Sequence, residues 1–157
     1  KLTVCAAQVT NLDENKPTII DGIEYGYVVK NEQTKSAKGE EYSRFEVTLY
    51  ATNKSGCTKL YAERTGLFSS ESPNILATYN STNANGKRLT SKSGTVKARD
   101  FYINAKVTDN GKEVTQSVKA GYIFRNNETV RNNIIVLVPK DTRPMMSCTV
   151  NVLPELQ

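Results

Sequence analysis

The sequence has no histidine and no tryptophan, and its three cysteines, Cys5, Cys57 and Cys148, are far apart. Without histidine the usual zinc sites are excluded, and so are the commonest general base and every Ser-His or Cys-His nucleophile. An odd number of cysteines argues against a self-contained disulfide framework, so free buried thiols are expected. No paired-carboxylate motif, P-loop or Rossmann fingerprint supplies other chemistry. The sequence therefore predicts a protein that is not an enzyme and that has no cofactor and no metal.

Long apolar runs are missing as well. No stretch is long enough to cross a bilayer, so no membrane association is expected. The first residues alternate in polarity and carry charge where a signal peptide would have a continuous apolar core. A chain of 157 residues fits one domain that buries its own core, so a single domain is predicted over residues 1–157.

Acidic residues are absent from one long segment. Residues 67–157 carry twelve basic and seven acidic side chains and supply the whole net charge of +5. Within them, residues 72–99 contain five basic residues and no acidic one. A folded surface normally mixes both signs unless a partner favours one, and phosphate is the commonest such partner. The segment therefore predicts a nucleic-acid contact, with a solvated loop as the alternative.

Alternating apolar and polar residues predict a mainly antiparallel sheet as far as residue 125. The clearest alternation covers residues 42–52, and Asp109-Asn110-Gly111 predicts a tight hairpin turn. Further strands are predicted over residues 2–10, 18–30, 57–64, 75–81, 95–108 and 113–125. In the 95–108 strand Lys97 and Arg99 share one side, which predicts a phosphate-binding pair beside aromatic residues.

The last thirty residues change period and predict two helices. Apolar residues recur at helical spacing in two groups, which are Val130, Ile134, Leu137 and Val138, then Met146, Thr149, Val150 and Leu153. The β-branched content of both stretches leaves strands as the alternative. Two such helices cannot shield a sheet alone, so a symmetric dimer is expected. The predicted fold class is therefore α+β: an N-terminal β-hairpin (1–30), a main antiparallel sheet (42–125) and two C-terminal helices (128–157) in an interlocked dimer.

Several short strings between residues 61 and 157 resemble one known family. They are Ala62-Glu63-Arg64-Thr65-Gly66, Ser72-Pro73-Asn74-Ile75-Leu76, Thr129-Val130-Arg131-Asn132-Asn133-Ile134-Ile135 and Thr149-Val150-Asn151-Val152-Leu153. With the basic strand, hairpin and strand over residues 95–125, they resemble the coat proteins of single-stranded RNA bacteriophages of the levivirus type. The part before residue 61 is longer than in that family, and the turn at residues 109–111 is shorter.

The resemblance implies a viral structural protein found in the virion and assembled in the host cytoplasm. Its homodimers would join their sheets into one surface, build an icosahedral shell and bind genomic RNA, including a translational-operator hairpin, on the sheet. Carried onto this chain, the RNA-binding residues would be Thr78, Asn80, Lys87, Arg88, Lys97, Arg99 and Tyr102, with Tyr79 as a further candidate for base stacking. Alternation along a strand allows only one of each neighbouring pair to face the RNA.

Two other functions fit parts of the sequence. The basic stretch 34–39 leading into the 42–50 alternation is similar to the first hairpin of single-stranded DNA-binding OB-fold proteins, in which Tyr42, Phe45 and Tyr50 would stack on bases. The strand spacing and the serine, threonine and asparagine content also fit an immunoglobulin-like sandwich from a surface or secreted assembly.

Overall fold

Eleven β-strands make up the regular structure of the described residues. The structure is a computed structural model that describes residues 8–63, 74–83 and 92–156. The strands are β1 (Val9–Asn11), β2 (Thr18–Ile20), β3 (Ile23–Ala37), β4 (Glu40–Asn53), β5 (Lys59–Ala62), β6 (Ile75–Ser81), β7 (Ser93–Lys97), β8 (Arg99–Asp109), β9 (Lys112–Phe124), β10 (Thr129–Pro139) and β11 (Met146–Val150). Within these ranges no helix is long and apolar enough to cross a membrane.

The strands form three antiparallel sheets. The first sheet has the order β1-β11-β6-β7, the second β10-β4-β3-β2 and the third β5-β9-β8. The first two sheets share one hydrophobic core, to which the inward side chains of their strands contribute. Alternation explains this arrangement, because every second residue of a strand points to the same side.

The core is built from β-branched and aromatic side chains. In β4 the residues Phe45, Val47 and Leu49 are fully buried, which confirms the alternation predicted for residues 42–52. Tyr79 of β6 is also fully buried, and its hydroxyl donates a hydrogen bond to the Tyr50 carbonyl across the core (2.6 Å). Asn53 ends β4 as a fully buried polar residue whose amide reaches the Phe124 and Cys57 carbonyls (both 2.9 Å).

The prediction of two C-terminal helices is wrong, and so is the α+β fold class. Residues 129–139 form β10, which pairs with β4 along its whole length, and residues 146–150 form β11, in the interior of the first sheet. Val130, Val136 and Val138 are buried on one side of β10, so the apolar residues follow a period of two. The spacing looked helical because Leu137, on the other side of the strand, lies seven residues after Val130 and so fits a helical repeat. Stiff β-branched side chains favour the strand.

Two hairpins continue beyond the packed sheets as two-stranded ribbons. The turn between β3 and β4 places Lys38 and Gly39 at positive φ, and the turn between β8 and β9 does the same with Asn110 and Gly111. Positive φ at both central residues is the mirror-image turn that matches strand twist, which confirms the hairpin predicted from Asp109-Asn110-Gly111. Most of the residues from both ribbon ends are exposed.

The strand predicted over residues 95–108 is divided between two sheets. Ala98 separates β7 from β8 and is buried, and its backbone is held by Asn74 through two hydrogen bonds of 2.9 Å, one from the Ala98 N–H and one to the Ala98 carbonyl. Lys97 therefore ends a strand of the first sheet, whereas Arg99 begins a strand of the third. The alternation of side chains is interrupted at this point.

The buried Cys148 thiol makes the protein sensitive to alkaline pH. Burial raises the pKa of Cys148 from its ordinary value of 9.0 to about 11. Between these values the unfolded chain releases a proton that the folded chain keeps, so stability falls as the pH rises from 9 toward 11. We expect Cys148→Val to flatten this part of the profile, measured by urea denaturation from pH 7 to 10.5. An unchanged slope in the variant would contradict the assignment. Buried tyrosines such as Tyr25, Tyr61 and Tyr79, whose pKa values are raised from 10.0, add a further loss of stability near pH 10, but this loss is the same in both chains.

Candidate nucleic-acid interface

The outer face of the first sheet is a flat surface of short polar side chains. The strand registers place two rows across it: Val9, Thr149, Thr78 and Thr95 in one, and Asn11, Ser147, Asn80 and Ser93 in the other. Seven of these eight residues carry a hydroxyl or an amide, but Ser147 is only 3% exposed and its hydroxyl donates a hydrogen bond to the Asn80 carbonyl (3.5 Å). We call this surface, together with Lys97, the hydroxyl face. Its groups are the kind that bind phosphate and sugar oxygens through hydrogen bonds.

No acidic residue occurs in any of the four strands of the first sheet, all of which lie in the described part of the chain. The strands of the second sheet contain five acidic residues and those of the third contain three: Glu24, Glu32, Glu40, Glu41 and Glu46, then Asp100, Asp109 and Glu113. The acid-free segment seen in the sequence therefore contributes two adjacent strands, β6 and β7, to an acid-free sheet. Lys97 is the only charged residue within these four strands.

Three of the residues predicted to bind RNA lie on this sheet. Thr78 and Asn80 are on the outer side of β6, in the two rows of the hydroxyl face, and Lys97 is exposed at the end of the neighbouring β7. Tyr79, between Thr78 and Asn80, points into the core, where burial raises its pKa well above the ordinary value. Tyr79 therefore cannot stack on a base, and the prediction of that role is wrong.

Lys87 and Arg88 lie outside the described residues, in the gap 84–91. The residues on either side of this gap belong to the ends of β6 and β7. Ser81 donates a backbone hydrogen bond to the Lys92 carbonyl (2.8 Å), and the Asn83 side chain is held by the backbone of Arg143 and Met145. The two residues that flank the gap, Asn83 and Lys92, therefore lie at one end of the acid-free sheet, and Lys92 is exposed there.

Arg99 and Tyr102 lie on the third sheet, away from the hydroxyl face. The Arg99 guanidinium forms an ion pair with Glu128 (2.8 Å), so part of its charge is neutralised within the chain. Tyr102 is 54% exposed on the β8–β9 ribbon, opposite Lys119. Lys119 in turn contacts Asp100 at 3.5 Å, which puts a carboxylate beside this tyrosine. The structure therefore does not bring these two residues together with Thr78, Asn80 and Lys97.

Sequence reasoning missed the contribution of β11. Thr149 lies between Val9 and Thr78 in the first row of the hydroxyl face, and Ser147 has the same place in the second row. Both belong to a stretch that was predicted to be helical. If residues 146–150 are taken as a strand with a period of two, Met146 and Cys148 point into the core. Ser147 and Thr149 then point to the outer side of the sheet.

The described residues contain no cluster of metal-binding side chains. No group of three or more cysteine, aspartate or glutamate side chains lies close enough to hold a metal ion there. Comparison with known proteins finds no matching family, no matching curated protein and no matching solved structure. The geometry of the hydroxyl face is therefore the observation on which a function has to be argued.

Proposed function

We propose that this chain is a structural protein that binds RNA on the hydroxyl face, in the manner of a coat protein of an RNA-containing particle. The observation that carries the proposal is the absence of acidic residues from all four strands of the first sheet. A polyanion that lies across these four strands meets no carboxylate belonging to them. Lys92 and Lys97 supply positive charge at opposite ends of β7, and hydroxyl and amide groups lie between them.

The chemistry of the face favours contact with the RNA backbone over contact with the bases. Neither row of the hydroxyl face contains an aromatic side chain. Proteins that bind single strands without sequence preference rely on aromatic stacking, whereas base-paired RNA is recognised by shape and by contacts to phosphates and 2′-hydroxyls. The partner that fits best is base-paired RNA, such as a hairpin in a genome. The lack of aromatic side chains on this face also counts against the single-stranded DNA-binding alternative.

Tyr42 and Tyr50 do not provide the stacking surface that a single-stranded DNA-binding protein would need. Both are half-buried on the outer side of the second sheet, and Tyr50 lies across Gly26, where its hydroxyl occupies the space that a Cβ would need. Phe45 is fully buried in the core. The three aromatic residues predicted to stack on bases therefore do not form one exposed platform.

A surface sandwich remains the second candidate. Two four-stranded antiparallel sheets that share a hydrophobic core are the architecture of many binding domains that carry no nucleic acid. This reading leaves the acid-free sheet without a partner. The two candidates differ in one measurable property, which is affinity for RNA at low salt.

Charge reversal on the acid-free sheet is expected to weaken RNA binding. The double variant Lys92→Glu and Lys97→Glu puts carboxylates in place of the lysine just before β7 and the lysine at its end. We expect the affinity for a base-paired RNA of about 20 base pairs to fall tenfold or more, and the slope of log K against log salt to fall by about two. Fluorescence anisotropy at several salt concentrations measures both quantities.

The matched control is Lys30→Glu with Lys35→Glu, which changes the net charge equally but lies on β3 of the second sheet. This control is expected to weaken binding only slightly. Equal losses in the two double variants would mean that net charge alone holds the RNA and would overturn the proposed site. If the unmodified chain binds neither RNA nor single-stranded DNA at low salt, the nucleic-acid function is wrong and the surface sandwich stands.

A further inference from the structure

The β8–β9 ribbon is amphipathic although it projects beyond the packed sheets. The cross-strand pairs Ile103–Val118, Ala105–Gln116 and Val107–Val114 place five apolar side chains on one side. Ile103 is 47% exposed and Val118 is 42% exposed. The other side of the ribbon carries Tyr102, Asn104, Lys106 and Thr108 with their partners on β9. A solvated ribbon needs no apolar side, so this side indicates a contact surface.

The ribbon has only two strands over most of its length. β5 pairs with β9 only at residues 121–124, so residues 102–119 pair with each other and with no third strand among the described residues. An isolated two-stranded hairpin is marginal in water, and a third strand with an apolar face is usually needed for stability. β8 is also an edge strand eleven residues long, with alternate backbone N–H and C=O groups facing away from β9.

We infer that β8 pairs antiparallel with β8 of a second copy of this chain, so that two ribbons form one four-stranded sheet. A two-fold axis at Asn104 lets all eleven residues of β8 pair with those of the second copy. In this register Arg99 lies opposite Asp109 of the second copy, and Phe101 lies opposite Val107 of the second copy. Both kinds of cross-strand pair stabilise sheets, and the symmetry makes each pair occur twice.

The register also keeps the two sides of the ribbon separate. Residues directly opposite in an antiparallel pair point to the same side, so Ile103 meets Ala105 of the second copy and Tyr102 meets Lys106. The apolar sides of the two copies then form one continuous surface, and the polar sides form another. A shift by one residue would put apolar residues opposite polar ones, which disfavours it.

The other ribbon of the molecule shows what an edge built to stay unpaired looks like. Residues 30–41 at the end of the β3–β4 hairpin carry three lysines and three glutamates and are exposed without an apolar row. Charged side chains are a common device that keeps an exposed edge from pairing. On β8 the charged residues are Arg99 and Asp100 at one end and Asp109 at the other, and the residues between them include one charge, Lys106, so the central part of this edge has less of this protection. This contrast favours a second copy at β8.

The inference deepens the proposed function, because a coat protein has to associate with itself, and a disulfide test reads the register directly. In a background with Cys5→Ser and Cys57→Ser, Asn104→Cys is expected to form a disulfide-linked dimer in mild oxidant, because the new thiol faces its own copy across the axis. Thr108→Cys lies on the same side of the same strand and faces Asp100 of the second copy, so it is expected to stay unlinked. Non-reducing electrophoresis measures both.

Equal cross-linking of the two variants, or none in either, would overturn the register. The association itself is tested by size-exclusion chromatography of the unmodified chain against Ile103→Lys, which is expected to raise the dimer dissociation constant tenfold or more. A monomeric unmodified chain would overturn the inference. RNA binding by the Lys92 and Lys97 variants is measured separately, so dimerisation without RNA binding would disprove the proposed function and leave the β8 pairing intact.

Discussion

Gly121→Ala is expected to lower the free energy of unfolding by about 2–5 kcal/mol, because strain and overlap act at one position. Gly121 has φ +152°, a conformation that side chains rarely adopt. A Cβ at this position would overlap the carbonyl oxygen of Tyr61, which is backbone and cannot move aside by rotating a side chain. Gly121 pairs with Ala62 of β5 on one side and with Phe101 of β8 on the other.

Gly121 lies next to a β-bulge, which explains its unusual backbone conformation. The pairing of β8 with β9 shifts between Phe101 and Tyr102, so Ala120 is an extra residue on β9 next to Gly121. Such a bulge turns the ribbon as it leaves the packed part of the third sheet. Loss of the glycine therefore affects β5, β8 and β9 together.

Urea denaturation of Gly121→Ala and of Gly111→Ala separates the two causes. Gly111 also has positive φ, +75°, but a Cβ there would meet nothing within 4 Å. Its replacement carries only the conformational cost, about 1 kcal/mol. Equal losses of stability in the two variants would show that the overlap with Tyr61 is relieved and would contradict the expectation.

Asn53→Asp is expected to lower stability at pH 7 by about 3–5 kcal/mol, because the new carboxylate would be buried against carbonyl oxygens. The Asn53 amide nitrogen donates to the Cys57 and Phe124 carbonyls, both at 2.9 Å. Its side-chain oxygen accepts from the Ser55 backbone (3.0 Å) and hydroxyl (2.6 Å). An aspartate has the same shape, but it keeps only the hydrogen bonds from Ser55 and cannot donate to the two carbonyls.

The loss should depend on pH in a defined direction. The two carbonyls repel the ionised form, so the pKa of the introduced carboxyl is raised in the folded state. The folded chain then holds a proton that the unfolded chain has released, and stability falls as the pH rises above about 4. We therefore expect a smaller difference from the unmodified chain at pH 4.5 than at pH 8.

Asn110→Asp is the matched control for this substitution. Asn110 is exposed at the tip of the β8–β9 turn, at a positive φ that aspartate tolerates. Its replacement is expected to change stability by less than about 0.5 kcal/mol at either pH. A loss for Asn53→Asp that stays constant from pH 4.5 to 8 would mean that the carboxyl escapes to solvent.

Local signals in the sequence predicted several of the strands and turns that the structure describes before residue 125. Alternation located β4, and asparagine followed by glycine located the β8–β9 turn, because both features depend only on neighbouring residues. The division at Ala98 was missed. It depends on Asn74, which lies 24 residues earlier and holds both polar groups of the Ala98 backbone. No local pattern reports such a clamp.

The candidate interface was predicted in part. An acid-free segment can be read directly from the sequence, and it led to Thr78, Asn80 and Lys97. Arg99 was placed with Lys97 because a continuous strand was assumed, whereas the chain changes sheet between them. Thr149 was missed because apolar residues in β10 and β11 fit a helical spacing as well as a strand. Pairing partners decide such cases, and these are properties of the whole fold.

The order of strands in the first sheet has a consequence for synthesis on the ribosome. The four strands of this sheet come from the start (β1), the middle (β6 and β7) and the end (β11) of the described chain. In the sheet, β11 lies between β1 and β6. Contacts between residues so distant in sequence form slowly, whereas the β3–β4 and β8–β9 hairpins need only local closure. The sheet cannot close until residues 146–150 have left the ribosome. The nascent chain therefore lacks the complete hydroxyl face until residue 150 has been synthesised and has left the ribosome.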